Sequence, residues 1–319
     1  MYPWSYDTAG RFDEHVLESE ALRGNPLGDP HERPLFVWAP DGDGPYPAVY
    51  VLNAHMRSGP SWFNVDPFVR SYPEEIDALA PEAVVVLVDG WTSVGGSQWI
   101  DSAGIGRYAA YLAEAVGFVD SRFPTRPEAA HRGLQGHSSG GFGAIVNALL
   151  RPDLFGGVAA HAPDALFELT QIQALAVAAR SLRRRSWDEF WAGFTRLDSG
   201  ETATLVEVWS SALAYSGGAV PIDAETGMLV PGVWEQWLAW DPVRLVAAHA
   251  DVARDLRALW LDAGSRDQYY LDLGATAVRR AFADAGLPDE RLAFELYDGG
   301  HGASTRHPLS LAWLAERLA

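Results

Sequence analysis

Gly136-His137-Ser138-Ser139-Gly140, followed by Gly141 and Gly143, has the G-x-S-x-G form. That form sets a serine on a tight turn between a strand and a helix and lifts its hydroxyl clear of the sheet edge. Glycines belong on either side because a Cβ there collides with the neighbouring elements, while the following helix offers its N-terminal amides and dipole to a developing anion. The context fits, since Arg132 to His137 reads as a strand and Gly141 to Leu150 as a helix closed by Arg151-Pro152. A serine becomes a nucleophile when a base takes its proton and an acid orients that base. Downstream of Ser138 the histidines are His161, His249, His301 and His307. His301 lies in Asp298-Gly299-Gly300-His301-Gly302, just past the strand Leu292 to Tyr297, where a glycine loop can carry an imidazole across the sheet edge. His307 precedes Pro308 at a helix start and reads as a surface or capping residue; His161, at a strand end, reads as a hydrogen-bonded wall residue that could also line a pocket. For the acid, the strand Arg257 to Asp262 runs into Ala263-Gly264-Ser265-Arg266-Asp267-Gln268. Asp267 lies beyond the strand end, where a carboxylate reaches the imidazole, and Asp262 is better placed to organise the turn. The expected triad is Ser138, Asp267 and His301, in the chain order Ser, acid, His.

Composition removes the competing chemistries. The chain has 319 residues, 24 Lys plus Arg against 42 Asp plus Glu, and a net charge of −18. All the cations are Arg, because the sequence holds neither Lys nor Cys. That excludes disulfides, cysteine nucleophiles and zinc ribbons, and also Schiff-base lysines and P-loops. There is no H-E-x-x-H pattern, so no metal and no other cofactor is expected. The acidic balance argues against nucleic acid or an anionic membrane as a partner. The N-terminal MYPWSYDTAG has no basic stretch followed by an apolar one, and the aliphatic run Ala83 to Val88 is too short to span a bilayer. A soluble, cytoplasmic protein acting on a small molecule is expected; the sequence leaves room for a homo-oligomer.

The elements that must position this chemistry alternate between short β-rich runs and helical segments, which predicts an α/β fold with a mainly parallel sheet and helices on both faces. Pro34 to Ala39 and Pro47 to Asn53, joined by Asp41-Gly42-Asp43-Gly44-Pro45, read as an antiparallel hairpin. Ala83 to Asp89 reads as a strand buried on both faces, Gly106 to Phe123 as a helix, and Gly157 to His161 as a further strand. Helices are expected near 242–254, 271–286 and 308–318. Residues 165–242 carry helical patterns with no strand among them. Leu166, Leu169, Ile172 and Leu175 recur at helical spacing, and the cluster Arg180, Arg183, Arg184 and Arg185 suits a helix end. Ser186-Trp187-Asp188-Glu189 has the capping-box form, and Trp187, Phe190, Trp191 and Phe194 make an aromatic stripe. This segment holds six of the 13 Trp. The organisation expected is a core of 1–164 and 243–319, with an N-terminal extension over 1–33, and a helical Trp-rich cap over 165–242. A cap above the C-terminal edge of the sheet covers the place where open α/β sheets bind ligands. Trp187 and Trp191 are therefore candidates to line a pocket, as are Trp91 and Trp99 in the loop after Asp89; packing the body is the competing reading for each. His137 and Gln268, beside the nucleophile and the acid, complete the substrate-binding candidates with His161. An aromatic-rich cap points to apolar or aromatic small esters.

Gly136–Ala144 (GHSSGGFGA), Leu261–Tyr270 (LDAGSRDQYY) and Tyr297–His301 (YDGGH) resemble the corresponding segments of the esterase D family of α/β-hydrolases. That group includes S-formylglutathione hydrolases, enterochelin-type and feruloyl esterases, and mycolyltransferases. Tyr46–Phe63 (YPAVYVLNAHMRSGPSWF) is similar to the family's hairpin strand and oxyanion loop. The resemblance spans roughly 34–164 and 240–319. It implies an α/β-hydrolase fold and acyl transfer through an acyl-enzyme on Ser138, with an oxyanion hole formed by the backbone N–H groups of Ser139 and of His55 or its neighbour Met56. The chain departs from the S-formylglutathione hydrolases in having no Cys near that loop and in carrying the 165–242 excursion. Two other readings share the same motifs, an acyltransferase using the same triad and a non-catalytic binding protein on the same fold.

Overall fold

The computed structural model describes residues 12–63, 69–302 and 305–319. The first eleven residues of the expected N-terminal extension lie outside them. Eight strands form one sheet in the order β1 (Phe12–Glu18), β2 (Glu32–Trp38), β4 (Val84–Val88), β3 (Ala48–Leu52), β7 (Arg132–His137), β8 (Gly157–His161), β9 (Ala258–Gly264), β10 (Leu292–Tyr297). The strands from β4 to β10 run parallel, and β1 and β2 are antiparallel additions at one edge. The two-residue strands β5 (Asp101–Ser102) and β6 (Gly106–Arg107) form a separate ribbon. This is an α/β-hydrolase-type sheet.

The expected hairpin is corrected. β2 pairs antiparallel with β4, and β3 lies parallel between β4 and β7. The cause is burial: all five residues of β3, AVYVL, are buried, as are the five of β4, VVVLV. Strands apolar on both faces belong inside a covered parallel sheet, and the turn-forming loop 41–45 is long enough to step past one strand. The edge strand β1 was not expected, because FDEHVLE exposes most of its side chains and shows little apolar patterning.

Helices cover both faces. On one side α1 (Tyr72–Leu79) and α11 (His307–Leu318) pack on β3, β8 and β9, around Ile76, Val49, Val51, Leu311 and Leu314. On the other, α2 (Tyr108–Asp120) and α3 (Ser139–Leu150) bury Tyr111, Leu112, Phe142 and Ile145 against Tyr50, Leu52 and Leu134. Between β8 and β9 come α4 (Phe167–Leu182), α5 (Trp187–Gly193), α6 (Gly200–Ser216), α7 (Pro231–Leu238), α8 (Pro242–Ala248) and α9 (Ala250–Asp255); α10 (Leu271–Asp284) follows β9. The expected capping box opens α5, where Ser186 Oγ accepts from Glu189 N at 3.2 Å and Glu189 Oε2 accepts from Ser186 N at 2.7 Å. Phe167, Leu175, Phe190, Leu205, Trp234 and Trp237 join the same apolar core as the sheet. Residues 165–242 thus share a core with the sheet, and among the described residues contain only the isolated bridge Ile222–Leu229 as β-structure.

Candidate active site

β7 ends at His137 and α3 begins at Ser139, leaving Ser138 as the turn between them, with φ 56° and ψ −124°. A non-glycine residue held there carries backbone strain that its surroundings must sustain. They do so by close approach. A Cβ on Gly136 would lie 2.2 Å from the Gly140 carbonyl, and one on Gly140 would lie 2.4 Å from Leu52 O. Only glycine at both positions lets α3 start directly over the ends of β3 and β7.

Asp267 follows β9 and His301 follows β10, two adjacent parallel strands ending at the same edge. His301 Nδ1 lies 2.8 Å from Asp267 Oδ2, so Nδ1–H donates to the carboxylate and Nε2 is left as the basic nitrogen. The other carboxylate oxygen accepts from Tyr269 N at 2.8 Å. Three contacts hold the His301 loop. Gln268 Oε1 accepts from His301 N at 3.3 Å, and Tyr269 sets its ring edge-on to the imidazole at 4.9 Å. His137 donates from Nε2 to the His301 carbonyl at 2.6 Å and packs its ring 4.4 Å from the His301 ring. Burial pushes the His137 imidazole down to about 3, with the neighbouring His301 adding to the effect, so it stays neutral. His137 is therefore a positioning residue for the loop.

Asp262, expected to organise the turn, instead lies within β9 and ties together side chains beneath the sheet edge. It is fully buried and takes hydrogen bonds from Trp260 Nε1 at 2.8 Å, from Arg306 Nε at 3.0 Å and from His161 at 2.6 Å. Burial pushes its carboxyl up, but these donors outweigh burial and hold it below the usual carboxylate value. His161 bridges Asp262 to Ser310 at 2.8 Å beneath the site. His307, expected at the surface or as a cap, is instead buried at the start of α11 against the rings of Trp62, Tyr72 and His161.

The loop after β3 is stapled by the Asn53 side chain. Asn53 donates from Nδ2 to Ala54 O at 3.1 Å and Arg57 O at 2.8 Å, while its Oδ1 accepts from Gly90 N at 2.7 Å. Met56 N–H is taken by Gly95 O at 2.6 Å. Among the described hydrogen bonds none occupies the amides of His55 and Ser139. The His55 ring packs on Gly95 and Gly96 and meets Ser210 Oγ of α6 at 2.6 Å. Removal from solvent pushes it down to about 4, so it too is neutral.

Ser138, His301, His137, His55 and Gln268 line one cavity of about 540 Å3, closed on its far side by α4 and α6. The tryptophans do not reach it. Trp99 is buried, donates to Asn53 O at 3.1 Å and covers Gly90 and Gly143, so it packs the body. Trp91 is 37% exposed and offers its carbonyl to Arg33 and Tyr108. Trp187 packs its ring, tilted, 4.8 Å from Trp209, and Trp191 meets Phe190 and Phe194, each at 5.1 Å. Aromatic faces at helical spacing find each other before they find a pocket, and the ground for expecting an apolar or aromatic ester is lost with them. His161 also lies outside the lining.

Two acids inside the cavity carried no motif. Asp164, three residues past β8, accepts from Ser138 Oγ at 3.3 Å, the hydrogen bond that this hydroxyl makes among the described residues. Burial raises its carboxyl to about 6. Glu207 of α6 lines the same space and is raised to about 8 by burial, with the charge of Asp164 adding to it. A strand end beside the nucleophile strand was the available signal for Asp164. Glu207 had none.

The family model for Esterase, described as "Putative esterase", matches residues 30–305. The chain belongs to the Esterase family. Solved structures similar to this esterase include a ferulic acid esterase, at 17% identity and a TM-score of 0.61 over 97% of this chain and 98% of that one. A fluorophosphonate-binding serine hydrolase of Staphylococcus aureus is similar at 14% identity and a TM-score of 0.61, over 95% and 98% of the two chains. An S-formylglutathione hydrolase from Agrobacterium tumefaciens is similar at 19% identity and a TM-score of 0.58, over 97% and 95%. These likenesses support the α/β-hydrolase fold. No curated protein sequence matches the chain. Among the described residues no helix is long and apolar enough to cross a membrane.

Proposed function

We propose that this esterase hydrolyses carboxylic esters through an acyl-enzyme on Ser138, with His301 as base, Asp267 as orienting acid and the amides of His55 and Ser139 as oxyanion donors. The observation that carries the reading is the 2.8 Å His301–Asp267 hydrogen bond, which turns the basic nitrogen of the loop away from the acid in the cavity that holds the strained Ser138 turn. The use of Met56 N–H by Gly95 favours His55 over Met56 as the first donor.

The Ser138 hydroxyl turns about its Cα–Cβ bond from Asp164 to His301 Nε2. The Ser138 oxygen attacks the ester carbonyl as His301 takes the proton, and the carbonyl oxygen gathers negative charge toward the His55 and Ser139 amides. Collapse breaks the ester C–O bond, and His301 returns the proton to the leaving alcohol. Water then attacks the acyl-enzyme with the same base, releasing the acid and restoring Ser138. Each oxyanion donor contributes on the order of 3 kcal/mol to the transition state. Helices α4 to α7 serve as a cap that excludes bulk water from this chemistry.

The test is Ser138→Ala against a short p-nitrophenyl ester. The rate is expected to fall by about a thousandfold or more; hydrolysis by the variant at the wild-type rate overturns the assignment.

A further inference from the structure

We propose that the cavity selects esters bearing a protonated amine, which Asp164 and Glu207 hold together with the side-chain oxygens of Gln98 and Gln171. The inference rests on the esterase reading above and specifies its substrate class.

The cavity lining holds two carboxyls without an ion-pair partner and two buried amide oxygens without a hydrogen-bond partner. Among the described residues neither Asp164 nor Glu207 makes an ion pair. Gln98 and Gln171 are only 2% and 4% exposed, both line the cavity, and the Oε1 atom of each is buried with no hydrogen-bond partner. Native structures rarely leave such oxygens unmet, so each calls for a donor brought from outside. The hydroxyls nearby do not supply it, because Thr170 donates to Ala165 O and Thr204 to Gly200 O. Arg57, the arginine of the lining, is exposed at the mouth. His55 and His137 are neutral, as described above. An ammonium group offers N–H donors to the amide oxygens and positive charge to the carboxylates in one group.

The titration of the two acids agrees with this geometry. Burial raises both, opposed at Asp164 by the charge of His301 and the Ser138 hydroxyl and at Glu207 by nothing, and a bound ammonium supplies positive charge to both. The charge of −18 concentrates cations around the molecule as a whole.

Two pairs of isosteric esters separate charge from size. On the acyl side p-nitrophenyl 3-aminopropanoate is compared with p-nitrophenyl butanoate, and on the alcohol side 2-(dimethylamino)ethyl acetate with 3-methylbutyl acetate. With rates normalised to spontaneous hydrolysis, kcat/KM at pH 7 for the charged member is expected to exceed that of the neutral one by at least tenfold in one pair. Glu207→Gln lowers that ratio about tenfold, with Asp164→Asn as a second variant, whereas Asp188→Asn on exposed α5 leaves it unchanged. Calorimetry on the Ser138→Ala protein reads the same preference as binding, independent of turnover. Equal or inverted preference in both pairs, a ratio indifferent to Glu207→Gln and Asp164→Asn, or a stronger preference for glycerol monoacetate overturns the inference. If no ester is hydrolysed but the charged ester binds tenfold tighter, the substrate class stands and the catalytic reading falls. If neither member binds better, the inference falls.

Discussion

Glu207→Gln should stabilise this protein, and the gain should depend on pH. Glu207 sits on α6 facing the cavity, where burial and the charge of Asp164 raise its carboxyl from an ordinary 4.5 to about 8. Between those two values the folded chain holds a proton that the unfolded chain has lost, so stability falls as pH rises through the window and the loss is complete above pH 8. Moving a carboxyl that far costs on the order of 5 kcal/mol once it ionises. Water entering the cavity screens part of this, leaving about 2 kcal/mol as the lower expectation. Glutamine keeps the shape and hydrogen-bonding capacity of the protonated acid and cannot ionise. Urea unfolding of the two proteins should therefore give nearly equal stabilities at pH 4.5 and a gain of about 2–5 kcal/mol for the variant at pH 8.5. A gain of equal size at both pH values would trace the effect to packing, and no gain at pH 8.5 would refute the view that an uncompensated carboxyl is buried in the cavity that Ser138 lines.

Three further substitutions probe the site. Asp267→Asn removes the acceptor that fixes the His301 tautomer, and kcat should drop about 10^3–10^4-fold with little change in KM; a loss below tenfold in steady-state assays would contradict the role. His137→Phe keeps a ring against His301 but deletes the 2.6 Å hydrogen bond to its carbonyl, so kcat should fall about tenfold with KM nearly constant, and an unchanged kcat would show that the loop holds itself. Gly140→Ala places a Cβ 2.4 Å from Leu52 O, a backbone atom that cannot step aside, and should cost about 1–3 kcal/mol in urea unfolding; unaltered stability would mean that α3 and β3 are less closely apposed than described.

The parallel core was legible because its strands are apolar runs between turn signals, and the Ser138 turn because only glycine fits around it. His301 and Asp267 were legible from their places just past two strand ends, where loops converge on one edge. What stayed hidden depends on contacts distant in sequence. The position of β4 between β2 and β3 follows from which strands need cover on both faces, a property of the assembled sheet rather than of the 41–45 turn. The tryptophans of 165–242 read equally well as pocket wall or packing, and their partners, such as Trp209 for Trp187, lie outside the local pattern. Asn53, Asp164 and Glu207 act through geometry alone, since a lone Asn or acid carries no spacing signal until the fold brings it to the loop after β3 or into the cavity.

The central claim, that Ser138 is the nucleophile, is tested most directly by treating the protein with a fluorophosphonate and mapping the adduct by mass spectrometry. A single stoichiometric adduct on Ser138, absent from Ser138→Ala and greatly slowed in His301→Ala, is the result predicted. An adduct on another residue, or none on the folded protein, would contradict it.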